Sequence, residues 1–165
     1  MNHRSSHTIA ILAALALARS ASAATTMIAG GNLNSAAGWD NGLPSSSNPG
    51  TIAVDGTNGS TVFGFGGGAV VTHTAGTITA ADGFNFNRGD TWNMSGGKII
   101  TRYFLANESS TVFNMSGGII ELKADSSNFI STANGGSLNI SGSAVLNAAT
   151  GALQSMSDPN GDIDF

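Results

Sequence analysis

The chain has 165 residues, ten acidic against six basic, with no cysteine and 23 glycines. An acidic chain with few, scattered cations lacks the electrostatic footprint for nucleic acid or anionic lipid, and without thiols it cannot be held by disulfides. Ile, Val, Leu, Phe and Met nevertheless recur at regular intervals, unlike a disordered tail, while Gly, Asn, Ser and Thr fill every stretch beyond the first two dozen positions and exclude long helices.

The N-terminus reads as an export signal spanning residues 1–23. Arg4 gives a weakly basic start, the uncharged apolar run Ile9–Ala18 follows, and Ala21-Ser22-Ala23 supplies the small-x-small pattern that predicts cleavage after Ala23. The run is closed off by Arg19 and is too short for a membrane helix, which needs about 20 apolar residues. The chain from Ala24 onward is then one domain, with four basic residues (Arg88, Lys98, Arg102, Lys123) against ten acidic ones.

Residues 24–50 are rich in Gly, Asn, Ser and Pro around Trp39-Asp40-Asn41-Gly42-Leu43-Pro44. This segment is expected to fold over the first repeat as a cap, with Trp39 covering the open apolar end. Thr51–Val54 and Thr61–Phe63 are the first expected strands, with Asp55-Gly56 and Asn58-Gly59 supplying turns.

Internal repeats then dominate residues 51–147. Trp92–Ile99, Phe113–Ile120 and Leu138–Val145 resemble one another closely, with a weaker copy at Val71–Ile78. Val71, Trp92, Phe113 and Leu138 share one apolar column; His73, Met94, Met115 and Ile140 share the next but one. Ile78, Ile99, Ile120 and Val145 form a third past the Ser-Gly-Gly turn. Between the first two stands the polar column Thr72, Asn93, Asn114, Asn139. The alternation is that of a half-buried strand, and the Ser-Gly-Gly residues tolerate the positive φ of a sharp bend.

The copies start 21, 21 and 25 residues apart, the extra residues being placed within Ala124–Asn128. At roughly 3.3 Å per residue, such a unit traces one circuit of a two- or three-sided coil whose equivalent side chains stack at about 4.8 Å. The predicted fold is therefore all-β, a single-stranded parallel β-helix with coils of about 21 residues, six or seven at most, and Asn93, Asn114 and Asn139 in an amide ladder. An antiparallel sandwich also uses short strands and Gly-rich turns, but does not require column identity at a fixed offset. Residues 148–165 hold few apolar side chains and read as an acidic tail or the start of a truncated region, leaving the last coil with an edge free to meet another protein.

In these repeats, in His73–Ile78 and in the opening Trp39–Pro44, the sequence resembles secreted bacterial parallel β-helix proteins. These are the passenger domains of autotransporters and the related exported repeat proteins that often end in a PEP-CTERM sorting segment. The resemblance covers about Trp39 to Leu146. It implies a right-handed coil and a structural or adhesive role at the cell surface or in the extracellular matrix. The sorting segment's apolar helix with a basic tail is not recognisable here.

β-Helices also carry polysaccharide lyases and hydrolases, so carboxylates or a calcium cluster converging on one face would matter. A 21-residue offset stacks Asp90 on Thr111, Glu108 on Asn87 and Glu121 on Ile100; the one charged pair it predicts is Arg102 with Lys123, which is like-signed. His73 has no second ligand at a recognisable spacing and reads as a partly buried polar variant near the end of the stack. Arg88-Gly89-Asp90 spells an adhesion tripeptide, but falls where the repeat demands a turn. Asp158–Asp164 alternates oxygen ligands like a calcium loop, yet has Ile163 where such loops need Gly. The sequons at Asn58, Asn93, Asn107, Asn114 and Asn139 are explained by strand and turn chemistry.

No catalytic, cofactor or metal residue is predicted. The expectation is a secreted structural or adhesive protein whose partner is a surface polysaccharide or a second copy at the solenoid edge. A carbohydrate-binding module using Tyr103, or less favoured a polysaccharide-degrading enzyme, is the alternative.

Overall fold

The computed structural model describes residues 23–123, 129–147, 152–153 and 162–164; the expected export signal (all but Ala23), the 124–128 insertion and most of Asp158–Asp164 lie outside them. The chain opens with β1 (Thr25–Thr26), β2 (Gly31–Asn32) and one 3-10 turn at Ala36–Gly38. Five three-strand circuits follow: β3 (Gly50–Ile52), β4 (Gly56–Asn58) and β5 (Val62–Phe63); β6 (Val70–His73), β7 (Thr77–Ala80) and β8 (Gly83–Phe86); β9 (Thr91–Met94), β10 (Lys98–Thr101) and β11 (Tyr103–Asn107); β12 (Val112–Met115), β13 (Ile119–Leu122) and β14 (Phe129–Ala133); β15 (Ser137–Ile140), β16 (Val145–Asn147) and β17 (Ala152–Leu153). β18 (Asp162–Asp164) begins another turn.

Strands of the same kind stack into three parallel sheets. The first face runs β1-β3-β6-β9-β12-β15-β18, the second β2-β4-β7-β10-β13-β16, and the third β5-β8-β11-β14-β17. The molecule is a three-sided β-solenoid with coils about 21 residues apart. β1 and β2 already pair within the expected cap, and pairing continues past residue 147 through β17 and β18.

Columns on the first face follow the repeat. Val71, Trp92, Phe113 and Leu138 are register partners, as are His73, Met94, Met115 and Ile140. Trp92 and Phe113 stack at 5.8 Å with planes 11° apart. Opposite them, on the third face, Phe84 stacks on Phe104 at 5.5 Å, and Phe104 meets Phe113 edge-on at 4.7 Å. These rings are fully buried and contribute about 2–3 kcal/mol each by burial alone. Outside, Asn114 Nδ2 donates to Asn93 Oδ1 at 2.9 Å and Asn139 Nδ2 to Asn114 Oδ1 at 2.8 Å, forming the expected amide ladder.

Two expectations need correction. Leu146, not Val145, stands over Ile120; Val145 pairs with Ile119 and is exposed. In the earlier copies the left-handed residue is the third of Ser-Gly-Gly, Gly97 (φ 77°) and Gly118 (φ 85°); in the last copy that position is Ser143, the left-handed residue is Gly142 (φ 63°), and the turn runs one residue longer. A one-residue slip exchanges the faces of a strand. The second correction is Gly56, which opens strand β4 rather than a turn. Its missing side chain is a space: a Cβ there would sit 2.1 Å from Met27 Cε.

The 25-residue interval is resolved by register. Thr101 pairs with Leu122, but Phe104 pairs with Ile130, so five residues enter between Lys123 and Phe129, and one is given back before Val112 pairs with Ser137.

Candidate functional site

A function carried by side chains needs polar groups that the fold has not already used. The six carboxylates whose contacts are described are all engaged. Asp90 is fully buried; its Oδ2 accepts from Phe65 N (2.6 Å) and Gly66 N (3.2 Å), and its Oδ1 from Ala69 N (2.9 Å). Asp55 accepts from Thr77 N at 2.7 Å, Glu108 from Arg88 N at 2.9 Å and Asp40 from Thr26 N at 2.6 Å. Glu121 pairs with Lys98 at 2.8 Å and Asp82 with Arg102 at 2.9 Å. Five of these six tie one coil to the next.

This corrects the charge reading from the fixed offset. Arg102 and Lys123 do lie one coil apart, but Arg102 turns to Asp82, and Lys123 Nζ reaches down to the carbonyls of Ala80 and Ala81 two coils below. Lys98 and Glu121 were not paired by the offset because they meet diagonally, Lys98 lying opposite Ile119. Both ion pairs are partly exposed and contribute at most about 1 kcal/mol.

His73 is fully rather than partly buried, and lies inside the stack between Ile52 and Met94. Its Nε2 lies 3.3 Å from Gly76 O, its Nδ1 has no partner, and its ring meets Trp92 edge-on at 5.9 Å. Burial pushes its pKa below 6.5, against the opposing hydrogen bonds to Gly76 and Ala75. A histidine so enclosed is core, not a base open to substrate. Among the described residues no group of three His, Asp or Glu side chains converges as a metal site would require.

Arg88-Gly89-Asp90 is the expected turn, left-handed at Arg88 (φ 71°) and Gly89 (φ 68°). Asp90, spent on three backbone N–H groups, is closed to a receptor. Of the sequon side chains, Asn93, Asn114 and Asn139 build the ladder, Asn107 Oδ1 accepts from Asn134 at 2.8 Å, and Asn58 Oδ1 accepts from Ser60 N at 3.2 Å while its buried Nδ2 has no partner. Tyr103 is not an open platform. Phe129 stacks on its ring at 4.9 Å with planes 8° apart, and its other side covers Gly83, whose Cβ would fall 2.1 Å from Tyr103 Cζ. Burial, then Asp82, raises the pKa of its phenol.

A concavity that motif reading missed lies on the corner joining the third face to the first. There Gly67 and Gly68, Arg88, Glu108, Ser110 and Asn134 follow one another in consecutive coils around a groove. The four non-glycine residues at positive φ among the described residues are Arg88 (71°), Glu108 (76°), Ser110 (69°) and Asn134 (50°), and all four line it. The Ser-Gly-Gly corner is the opposite: Gly76, Gly97 and Gly118 take the left-handed bend, and a Cβ on Gly97 or Gly118 would lie 2.5 Å from His73 Nε2 or 2.7 Å from Met94 Cε. One corner is closed and glycine-built; the other is open and carries side chains where glycine would fit with less strain.

Stacked parallel strands, three faces and an aromatic interior define the class as a parallel β-solenoid. No family model, curated protein or solved structure matches this chain. Among the described residues no helix is long and apolar enough to cross a membrane.

Proposed function

We propose that this chain is a secreted structural or adhesive β-solenoid of the cell surface or extracellular matrix, acting without catalysis and related to autotransporter passengers or PEP-CTERM-type exported repeat proteins. The observation that supports this most is the use of its carboxylates: each described one ties backbone or a cation within the coil stack, which builds a stiff body. On the first face Thr51, Thr72, Asn93, Asn114 and Asn139 form an outward column of short hydroxyl and amide side chains, chemistry suited to contact with polyhydroxyl material or with a second copy. The N-terminal tripartite pattern supports export.

The mature chain, from Ala24, is tested by co-sedimentation with insoluble polysaccharides and by sedimentation velocity. Retention on a polysaccharide or concentration-dependent assembly is expected, with no sugar ends released. Release of reducing or unsaturated ends would replace this reading with an enzyme.

A further inference from the structure

The adhesive reading leaves open where a partner docks, and the open corner supplies an answer. Its backbone conformation is one that glycine adopts freely and L side chains adopt at a cost of roughly 1 kcal/mol or more. Three consecutive coils nevertheless place a guanidinium, a carboxylate, a hydroxyl and an amide there, on Arg88, Glu108, Ser110 and Asn134. They do not fill a core, for Arg88, Glu108, Ser110 and Asn134 are all exposed. In the coil below, Gly66 and Gly67 face open space: a Cβ added to either would meet nothing within 4 Å.

Much of this polar capacity is unspent. The Arg88 guanidinium has no ion-pair partner among the described residues. Glu108 uses Oε2 on Arg88 N, leaving Oε1. A cationic donor and an anionic acceptor on successive coils of one groove, Arg88 and Glu108, match a chain of hydroxyls, each of which both donates and accepts. The balance of one cation against one anion suits an uncharged chain better than an acidic one.

We propose that this corner groove is a binding site for a neutral polysaccharide lying along it, held by Arg88, Glu108, Ser110 and Asn134. The proposal rests on the adhesive reading above and names its site and ligand class. With no free aromatic platform in the groove, each sugar is held by hydrogen bonds alone, so binding is weak per site and strengthens on a polymer.

The test uses the conformational strain. Arg88→Gly, Ser110→Gly and Asn134→Gly remove side chains while relieving left-handed backbone, so folding is kept or improved. Affinity electrophoresis through gels carrying dextran, xylan, laminarin or, for comparison, alginate then reads retention. The mature wild-type chain is expected to be retarded by at least one neutral polymer. Arg88→Gly should weaken this about tenfold, and the triple variant should abolish it with a melting temperature no lower than wild type. If the triple variant is retarded as strongly as wild type, the groove assignment falls while the adhesive reading stands. Retardation by alginate alone overturns the neutral class. If no polymer retards the wild type, the glycan site is refuted, and self-assembly in sedimentation then decides whether the structural reading survives.

Discussion

At the scale of single residues, the solenoid shows what happens when a column contains a misfit. His73 occupies a position that its neighbours fill with Ile52, Met94 and Met115. Because burial holds the folded imidazole neutral, its pKa lies below the 6.5 of the open chain. Below pH 6.5 the unfolded chain takes up a proton the folded one refuses, so this contribution to stability is complete above that pH. It declines as acid drives the pH down toward the folded value. His73→Met should therefore stabilise the protein and flatten its pH dependence: the variant's urea midpoint should exceed wild type by more at pH 5 than at pH 8. Asn114 is the opposite case, a polar residue matched by its column. It donates to Asn93 and accepts from Asn139, so Asn114→Ala breaks two amide bonds and should cost about 2 kcal/mol in denaturant titration. Asn93 and Asn139 each make one such bond, and their alanine variants should cost about half as much.

Strands and corners reveal how far local sequence specifies the coil. The first face was legible because its apolar columns keep a 21-residue offset from Val71 to Phe113 and a turn signal follows each strand. The third face was not. Its offsets differ between coils, Phe63 pairing with Phe86, Tyr103 with Gly83 and Phe104 with Ile130, so no fixed period aligns those strands in the sequence. The open corner escaped for the same reason, and because Arg88-Gly89 and Asn134-Gly135 look like ordinary turns until their left-handed neighbours are seen stacked. The slip at Val145 depended on which of two residues, Gly142 or Ser143, takes the left-handed bend, a choice made by packing on the coil below. The two corners should answer oppositely to small substitutions. Gly118→Ala combines a φ of 85° with a Cβ 2.7 Å from Met94 Cε and should cost at least about 2 kcal/mol. Ser110→Gly relieves a φ of 69° in open surroundings and should be neutral or stabilising by up to about 1 kcal/mol. Urea midpoints of the pair check both signs.

Considered whole, the molecule is nearly one-dimensional, each coil resting on two neighbours. Stability should peak where the aromatic interior is continuous, among Phe84, Trp92, Phe104 and Phe113, and fade toward β1 and β18. Native-state amide exchange should accordingly be slowest in β9 and β12 and fastest in the terminal strands, and Phe113→Ala should cost about 3–5 kcal/mol. The repeated pairing of Val71 with Trp92 and Trp92 with Phe113 has a further implication. A duplicated stretch covering residues 92–112 would present to its neighbours above and below the side chains they already meet. Copying one unit of the gene would thus lengthen the particle by about 4.8 Å and leave the contacts at the outer sides of the pair as they are, the new ones, such as Trp92 on Trp92, falling between the copies alone.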